Sequence, residues 1–488
     1  MGELTLTFKA PVLDAGESLG HVVPEILLVC TALFILVAGL WIKRKDVLAI
    51  VALAAIVVAE GLLQPPGSAK LFLNMLVDDS FAAFFRLVSL IIAGLFLVLS
   101  VAYDRFAEDD AAEYYFLLLT VTVGMMLAVS TTNLIMVYIA FEMVSLVSYI
   151  LVGYLKRDAL SSEAALKYFL FGALATGVML YGISLVYGLF GTTDLVGVRD
   201  ALVAGRVTPL AAVLPLLLIL AGLCFKCGLA PFHMWVPDAY QGAPTPVTAF
   251  ISVGPKAVGF AVFLRIFATG FGHVSTEWID IVMAVSIVTM TVGNIVAISQ
   301  VNIKRMLGYS SIAQAGYILI GIAVSSRTGM EGVLYYILVY ALMNLGAFGC
   351  ILVISAATKS DMIEDYAGYH EKDPIHAFIL TVFLLSLAGL PPLGGFFAKF
   401  LVFSAAIESR YLAIAIVGVV NSVIALFYYV KVIRYMYLEA PSPATQSAPP
   451  SSPPMALRMG LFAALLGVLV LGLYPVPFLN WVRLSLLK

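Results

Sequence analysis

Charged side chains are scarce in this chain: Asp, Glu, Lys and Arg make up 11% of its 488 residues, whereas 62% of the residues are hydrophobic. Soluble globular proteins carry about 25% charged residues, so the chain has less than half of the charge that a water-exposed surface normally carries. The composition therefore excludes a soluble fold and predicts a polytopic membrane protein. The net charge of −2, without a basic arm, argues against nucleic-acid binding.

Cysteine is also rare, with four residues at positions 30, 224, 227 and 350. Cys224 and Cys227 have the CxxC spacing, which in a soluble chain can indicate redox or metal chemistry. Here the pair lies in an apolar run, with no second CxxC and no nearby Cys/His cluster, and an iron–sulfur cluster needs four ligands. We interpret both cysteines as small core residues. No metal site is expected, and the sequence also lacks a Rossmann GxGxxG motif.

Long apolar runs dominate the rest of the chain. Residues 1–23 do not have the pattern of a removable signal peptide, and the first spanning helix is predicted to begin near Pro24. Runs of about 18 residues or more predict fourteen spans, of which the seventh, eighth and twelfth contain Gly and Pro and are expected to be broken. They lie near 24–42, 46–63, 80–102, 113–130, 132–154, 162–190, 210–236, 245–269, 277–298, 305–324, 331–356, 374–408, 411–438 and 456–480.

Lysine and arginine are unevenly distributed between the two sides of these spans. Loops after odd-numbered spans hold 13 of them, whereas the other loops together with both tails hold 8. Positively charged loops face the cytoplasm. The distribution therefore predicts that both termini lie on the opposite, outer side.

Two short patterns recur at nearly constant spacing. The pattern Thr122-Val123-Gly124 with Ala128 and Ser130 recurs 169 residues later from Thr291, and Tyr149–Gly153 recurs 168 residues later from Tyr317. Five spans separate the copies, an odd number, so the second copy crosses the membrane in the opposite direction. This is the pattern of inverted repeats in secondary transporters.

These features predict five segments in an all-α membrane fold. They are an N-terminal three-helix segment (1–110), a first inverted repeat with helices 4–8 (111–272), a second with helices 9–13 (273–439), a linker (440–455) and C-terminal helix 14 (456–488). The linker is rich in Pro and Ser, so we expect it to be extended and mobile.

Two lysines interrupt the seventh and eighth spans. Lys226 and Lys256 each lie 15 residues from the loop at Gln241 and Gly242, about 22 Å along a helix and well inside a hydrocarbon core of about 30 Å. Inserting an ammonium group at that depth costs about 3 kcal/mol on insertion scales. Such a residue is therefore interpreted as functional by default. The competing interpretation is a pair of structural kinks with snorkelling lysines, which the depth of both argues against.

Three further ionisable residues extend this set. Glu142 lies inside the fifth span, where Lys226 is its most economical partner, and Lys399 follows the Pro- and Gly-rich break of the twelfth span. His233 lies near the first break, and relay and structural roles are equally open for it. We expect these residues to form a proton path.

Other charged residues receive weaker assignments. We assign Asp238 no transport role, and Arg86 and Arg265 could snorkel or pair with lipid. Glu163, Lys167 and Lys304 are expected at a wet cytoplasmic rim, where an entry funnel is the alternative.

The motifs resemble those of the antiporter-like membrane subunits of respiratory complex I, the proton-pumping NADH–quinone oxidoreductase. The segments that carry the resemblance are FKCGLAPFHMWVPDAYQGAPTPVTAFISVGPK (225–256), KRMLGYSSIAQAGY (304–317) and GLPPLGGFFAKF (389–400). The resemblance extends over essentially the whole chain. The lysine on the broken twelfth span is typical of the subunit N type (subunit 2 in organelles).

The resemblance implies roles for matching positions. Glu142 and Lys226 would be a charge pair, Lys256 a central relay, Lys399 the residue of the exit half-channel and His233 part of the hydrated chain between them. It further implies an enzyme subunit without a redox centre of its own, because NADH, FMN, the iron–sulfur clusters and the quinone belong to other subunits. The implied partners are an M-like antiporter subunit, the small membrane subunits K, J and A, and the lipid of a bacterial inner membrane.

Two alternatives remain open. An Mrp-type cation/proton antiporter and a membrane hydrogenase subunit share this fold, and sodium-dependent exchange or co-purification with a hydrogenase would favour them. A solute permease has little support, because no cluster of aromatic and polar binding groups accompanies the charged residues.

Overall fold

The computed structural model describes residues 12–64, 67, 69–103, 106 and 110–487. Its helices are α1 (Ala15–His21), α2 (Val23–Ala38), α3 (Lys45–Gly61), α4 (Ser80–Val101), α5 (Ala111–Val129), α6 (Leu134–Val152), α7 (Ala159–Phe190), α8 (Leu195–Val203), α9 (Pro209–Cys227), α10 (Trp235–Gly242), α11 (Thr245–Leu264), α12 (Ser275–Ile298), α13 (Ile303–Ala323), α14 (Arg327–Thr358), α15 (Pro374–Ala388), α16 (Gly394–Glu408), α17 (Leu412–Leu438), α18 (Pro443–Ser447), α19 (Met455–Leu473) and α20 (Val476–Leu484). A short hairpin pairs β1 (Ala69–Leu71) with β2 (Leu76–Asp78), with Ala69 opposite Asp78.

The described residues contain eleven helices that are long and apolar enough to cross a membrane, or twelve if α1 and α2, bent by 74° to each other, form one span. The predicted polytopic membrane protein is therefore confirmed as predominantly helical, with one short hairpin beside the helices. Helix α3 has 17 residues, and α15 and α16 have 15 each, so none of these reaches the length of a spanning helix by itself. Lys9, Arg105 and Lys488, which contribute to the loop charge count, lie outside the described residues.

Helix α11 forms the centre of the bundle. All of its residues are buried, because apart from Lys256 its sequence is apolar or small on every face, as expected for a fully enclosed helix. Helices α13 and α14 are almost as fully buried, whereas α7, α12, α17 and α19 expose apolar side chains on their outer faces. The buried lysines of the seventh and eighth spans are therefore enclosed by protein and not by lipid.

Two spans are broken where the sequence predicts it. Helix α9 ends at Cys227 and α15 ends at Ala388, and each is followed by a glycine in the left-handed region, Gly228 with φ +69° and Gly389 with φ +89°. Glycine adopts this conformation without the Cβ clash that other residues meet. The chain resumes as α10 and α16.

The predicted break in the eighth span is wrong. Helix α11 continues through Pro255 and departs from α geometry only at Arg265–Gly270, which forms a π-helical turn. Proline removes one backbone donor, and in a helix that is enclosed on all sides the surrounding protein holds the remaining turns in place.

Several features occur twice along the chain at a spacing close to that of the sequence repeats. Asn133 caps α6 and Asn302 caps α13, and each forms an isolated β-bridge to a distant loop, at Asp194 and Met362. Helices α7 and α14 follow these caps and have 32 residues each.

The prediction of an extended, mobile linker is wrong. The segment contains the short helix α18, and Thr445 is completely buried. The hydroxyls of Ser442 and Thr445 donate to the carbonyl of Asp365 at 3.0 and 2.9 Å, and Ser451 donates to the carboxylate of Asp373. Composition indicates weak intrinsic structure, whereas these hydrogen bonds to the loop before α15 fix the linker in place.

We expect the docking of the linker to be stable to acid until about pH 4 and to weaken below it. Burial raises the pKa of Asp373, but hydrogen bonds from His376 and Ser451 outweigh burial and lower the pKa to about 2. A carboxyl group whose pKa is lowered on folding contributes stability above its unfolded pKa of about 3.9 and loses it as the pH falls to the folded value. Limited proteolysis at 440–454 against pH measures the release. An Asp373→Asn variant that is cleaved like the unaltered chain at pH 7 would contradict the assignment.

Candidate functional site

Lys226 lies in the last turn of α9, directly before the break, and is 3% exposed. Its Nζ donates to the carbonyl of Phe141 at 2.9 Å and to the hydroxyl of Ser145, both on α6. The Phe141 ring lies 5.1 Å from Nζ. The ammonium group is therefore solvated by neutral oxygens and an aromatic face of the neighbouring helix.

The expected direct contact between Glu142 and Lys226 is not formed. Among the described residues, no carboxylate oxygen lies within 4.0 Å of Lys226 Nζ, which donates to Phe141 and Ser145 instead. Glu142 Oε1 is buried without a hydrogen-bond partner.

Glu142 also lies on the outward-facing side of α6. Ile139 and Leu146, one turn before and after it, are 54% and 49% exposed, and residues three or four apart share a helix face. A carboxylate on such a face within a membrane is costly unless another protein covers it. This side of the chain is therefore suited to contact a neighbouring subunit.

Lys256 lies on α11 and is 2% exposed. Its Nζ donates to the carbonyl of Ser311 at 3.1 Å and to the hydroxyl of the same residue. A Cβ built on Gly228 would lie 3.3 Å from this Nζ, so the lysine reaches the break directly after α9. The structure thus brings Lys226 and Lys256 to the two sides of one helix end.

His233 lies beside the same break and is 6% exposed. Its Nδ1 is buried without a hydrogen-bond partner, and the charge of Lys256 acts on the ring. Buried polar atoms are nearly always hydrogen-bonded to protein or water. An unpartnered imidazole nitrogen next to a lysine is suited to exchange protons through water.

Buried hydroxyl and amide groups connect the surroundings of Lys256 with the second break. Ser310, next to Ser311 on α13, bonds the Tyr429 hydroxyl at 2.5 Å, and Gln314 Nε2 donates to the same hydroxyl at 3.2 Å. The Gln314 amide also donates to the carbonyl of Leu387 at 2.8 Å. This network ends at Leu387, one residue before the last residue of α15.

Lys399 lies on α16 behind the second break and is 4% exposed. Its Nζ donates to the carbonyl of Ala388 at 3.0 Å and lies 4.5 Å from the centre of the Tyr317 ring. A Cβ on Gly389 would lie 2.9 Å from the lysine Cδ. At both breaks a glycine therefore leaves room for a lysine of a following helix.

The charged residues near the start of α7 and α13 divide into two groups. Lys167 is 41% exposed and contacts Glu163 and Asp238, which also binds Arg305 at 2.6 Å. This agrees with a wet rim. The expectation for Lys304 is wrong, because it is 5% exposed and donates to the carbonyl of Ala243 at 2.9 Å.

Arg86 and Arg265 neither snorkel nor face lipid. Arg86 binds Glu25 at 2.7 Å, and Arg265 binds both carboxylate oxygens of Asp79 at 2.7 and 2.9 Å. Both arginines are buried. Sequence alone could not identify these pairs, because their members lie 61 and 186 positions apart.

The neutral polar residues of the site were missed at the level of sequence. On α13, Ser310, Gln314 and Tyr317 follow one another at spacings of four and three, which places them on one helix face. Polar residues on a single face of an apolar span indicate a polar interior. That pattern was the available signal.

The chain is similar to proteins of known type over nearly its whole length. Residues 131–425 match the family described as NADH:quinone oxidoreductase/Mrp antiporter, TM. NADH-quinone oxidoreductase subunit N of Anaeromyxobacter sp. (strain Fw109-5) is 40% identical over 95% of this chain and 95% of that protein. NAD(P)H-quinone oxidoreductase subunit 2 of Synechocystis sp. is 39% identical over 94% of this chain and 91% of that protein.

A chain in the structure of respiratory complex I from Thermus thermophilus has the same fold. The TM-score is 0.78 at 30% identity, over 94% of this chain and 98% of that chain. The resemblance inferred from the lysine-containing motifs is confirmed. The chain therefore belongs to the NADH:quinone oxidoreductase/Mrp antiporter family of proton-translocating membrane subunits, among the relatives of the subunit N type.

Proposed function

We propose that this chain carries protons across the membrane as part of NADH–quinone oxidoreductase, through Lys226, Lys256 and Lys399. The observation that carries the proposal is the burial of three lysines at helix breaks, each solvated only by neutral groups. A desolvated lysine with neutral neighbours loses and regains its proton more readily than one in water. Electron transfer from NADH to quinone takes place in other subunits of the complex, which hold NADH, FMN and the iron–sulfur clusters.

The pair formed by Glu142 and Lys226 controls the first step. When Glu142 is ionised and near, the ammonium form of Lys226 is favoured. When a neighbouring subunit neutralises Glu142 or draws it away, the ammonium group retains only the oxygens of Phe141 and Ser145, and its proton passes to Lys256. His233 and water between the two lysines provide the route.

The later steps lead to the opposite side. Lys256 then gives up this proton toward Lys399 through water beside Ser310, Tyr429 and Gln314, and Lys399 releases it outward. The placement of these polar groups supports the path, because Ser310 is next to the residue that binds Lys256 and Gln314 donates to the carbonyl of Leu387, next to the carbonyl that binds Lys399.

The membrane topology that fits this function has fourteen spans. We add α3 and the α15–α16 pair to the longer helices, count α2 without α1, and treat α5–α11 and α12–α17 as two inverted five-helix repeats. The matching caps at Asn133 and Asn302 support the repeats. Both termini would then lie on the outer side of a bacterial inner membrane, and the five predicted segments of the chain keep their boundaries.

The exposed side of α6 gives the proposed contact with other subunits. We propose that this side of α6 contacts the small membrane subunits K, J and A. An M-like antiporter subunit would contact a different side of the chain. Glu142 on that face would receive the signal from the redox reaction. The wet rim of Lys167, Asp238 and Arg305 would be the cytoplasmic entry.

We expect Lys256→Ala to remove the share of the protons translocated per electron that passes through this chain, while NADH oxidation continues. The matched control is Arg458→Ala, which removes an exposed cation outside the site and is expected to leave proton translocation unchanged. Inverted membrane vesicles with the assembled complex allow both fluxes to be measured. Unchanged proton translocation in Lys256→Ala would refute the proposed path.

The family description also names Mrp antiporters, which makes cation/proton exchange the second candidate. Sodium-dependent proton exchange by the isolated chain in vesicles, without any redox partner, would favour it. A hydrogenase in the purified complex would favour the membrane hydrogenase alternative.

A further inference from the structure

The two outer lysines of the site have different surroundings. Lys226 donates to Phe141 and Ser145 on the helix that also carries Glu142, whereas Lys399 donates to the carbonyl of Ala388 and has no carboxylate oxygen within 4.0 Å among the described residues. The position that faces Lys399 from α13 is the aromatic ring of Tyr317, with its centre 4.5 Å from Nζ. The ammonium group therefore needs another source of stabilisation.

The end of α15 supplies the first part of it. Lys399 Nζ donates to the carbonyl of Ala388, the last residue of this helix. The last carbonyls of a helix lack intrahelical partners, and the helix dipole places partial negative charge there. Gly389, at φ +89°, allows the lysine stem to pass directly over the helix end.

The Tyr317 ring supplies the second part, and its position is fixed from the side away from the lysine. The Asn294 amide donates to the Tyr317 hydroxyl at 2.9 Å and to Asn421 at 3.1 Å, and the Tyr428 hydroxyl donates to Asn294 at 3.0 Å. Tyr317 and Asn294 are fully buried. A ring face held within about 6 Å of a cation, away from water, gives one of the stronger cation–π contacts.

We propose that Tyr317 is a positioning residue for proton release, and that its ring and the end of α15 form a neutral seat for the Lys399 ammonium group in place of a carboxylate. This inference rests on the proposed function and specifies its exit step. When a lysine paired with a buried carboxylate loses its proton, an uncompensated negative charge is left behind. When Lys399 loses its proton, only a carbonyl and an aromatic ring remain, and neither carries a net charge. The seat therefore stabilises the protonated form of Lys399, and no buried negative charge opposes the release of its proton.

Ionisable groups on the packed helices do not change this balance. Glu331 on α14 binds Arg483, Asp373 binds His376 at the start of α15, Lys431 on α17 donates to the carbonyl of Gln300, and Arg434 on α17 binds Glu439. Glu408 ends α16 and Arg458 lies in the first turn of α19, both exposed. None of these groups is a hydrogen-bond partner of Lys399 Nζ, which donates to the carbonyl of Ala388.

The test compares Tyr317→Leu, Tyr317→Phe and Phe403→Leu in the assembled complex in inverted membrane vesicles. Leucine removes the ring face, phenylalanine keeps it without the hydroxyl, and Phe403 is a nearby aromatic residue, 6.1 Å from the Tyr317 ring, that serves as the control. We expect the alkaline limit of proton translocation per electron to move about one pH unit lower in Tyr317→Leu, because a desolvated cation–π contact corresponds to roughly a tenfold change in a protonation equilibrium. Tyr317→Phe should shift the limit much less than Tyr317→Leu, because it keeps the ring and loses only the hydroxyl that anchors it. Phe403→Leu should keep the profile of the unaltered chain.

Lys399→Gln separates this inference from the proposed function. Full proton translocation in Lys399→Gln would refute the exit role of Lys399 and the seat with it. If Lys399→Gln fails to translocate protons but Tyr317→Leu has an unaltered pH profile, the proposed path stands and the seat is refuted. Equal shifts in Tyr317→Leu and Tyr317→Phe would also refute it, since the hydroxyl and not the ring would then be responsible.

Discussion

Replacing Lys226 by alanine is expected to abolish proton translocation by this subunit while the complex still assembles. The change removes the ammonium group that donates to the carbonyl of Phe141 and the hydroxyl of Ser145, on the helix that carries Glu142. The path would then lose its first proton carrier, and a loss of at least a hundredfold is expected. Proton uptake per NADH oxidised in inverted vesicles measures the effect.

The matched variants separate charge from packing. Lys226→Arg keeps a cation but cannot deprotonate, so it should fail to translocate protons as Lys226→Ala does. Glu142→Gln keeps the shape of the side chain and removes its charge, and we expect a smaller loss, because Phe141 and Ser145 still hold the lysine. Full activity of Lys226→Arg would contradict proton transfer through this residue.

Asp79→Ala is expected to destabilise the fold by about 3–5 kcal/mol, the usual cost of removing one partner of a buried ion pair. Asp79 binds Arg265 through both carboxylate oxygens and also accepts from the backbone amide of Ala82 as the cap of α4. Its loss leaves a buried guanidinium without a counter-charge at the end of α11, the central helix. Denaturant titration in mixed micelles measures the change.

Two variants test whether the loss of stability in Asp79→Ala comes from the uncompensated charge of Arg265. Glu439→Ala breaks the exposed pair with Arg434 and should have little measurable effect on stability, because solvent screens exposed ion pairs. The double variant Asp79→Ala with Arg265→Met removes both charges and should recover part of the stability, because no unpaired charge then remains. A double variant less stable than Asp79→Ala would contradict this explanation.

The sequence predicted the position of the site because depth and helix breaks follow from local chemistry. Counting residues from a loop placed Lys226 and Lys256 inside the membrane, and the Gly and Pro residues beside Lys226 and before Lys399 marked breaks that the structure contains. The same reasoning failed for Pro255, because the enclosure of α11 by other helices determines whether a proline interrupts it, and enclosure is not a local property.

The partners of the buried charges could not be predicted for a related reason. Ser145 and Tyr317 each lie among many similar residues on apolar helices, and nothing local distinguishes the one that faces a lysine. The linker was misjudged because its composition carries no information about the carbonyl of Asp365 and the carboxylate of Asp373, which bind it. Such contacts depend on how distant segments meet in three dimensions.

Ordered water between the buried lysines would be the most direct test of the account. A cryo-EM map of the assembled complex at a resolution that shows water should contain a chain of hydrogen-bonded waters and polar side chains from Lys226 past His233 to Lys256, and on through Gln314 to Lys399. A dry, apolar gap between any two of these lysines, too long for water to bridge, would contradict a proton path through this chain.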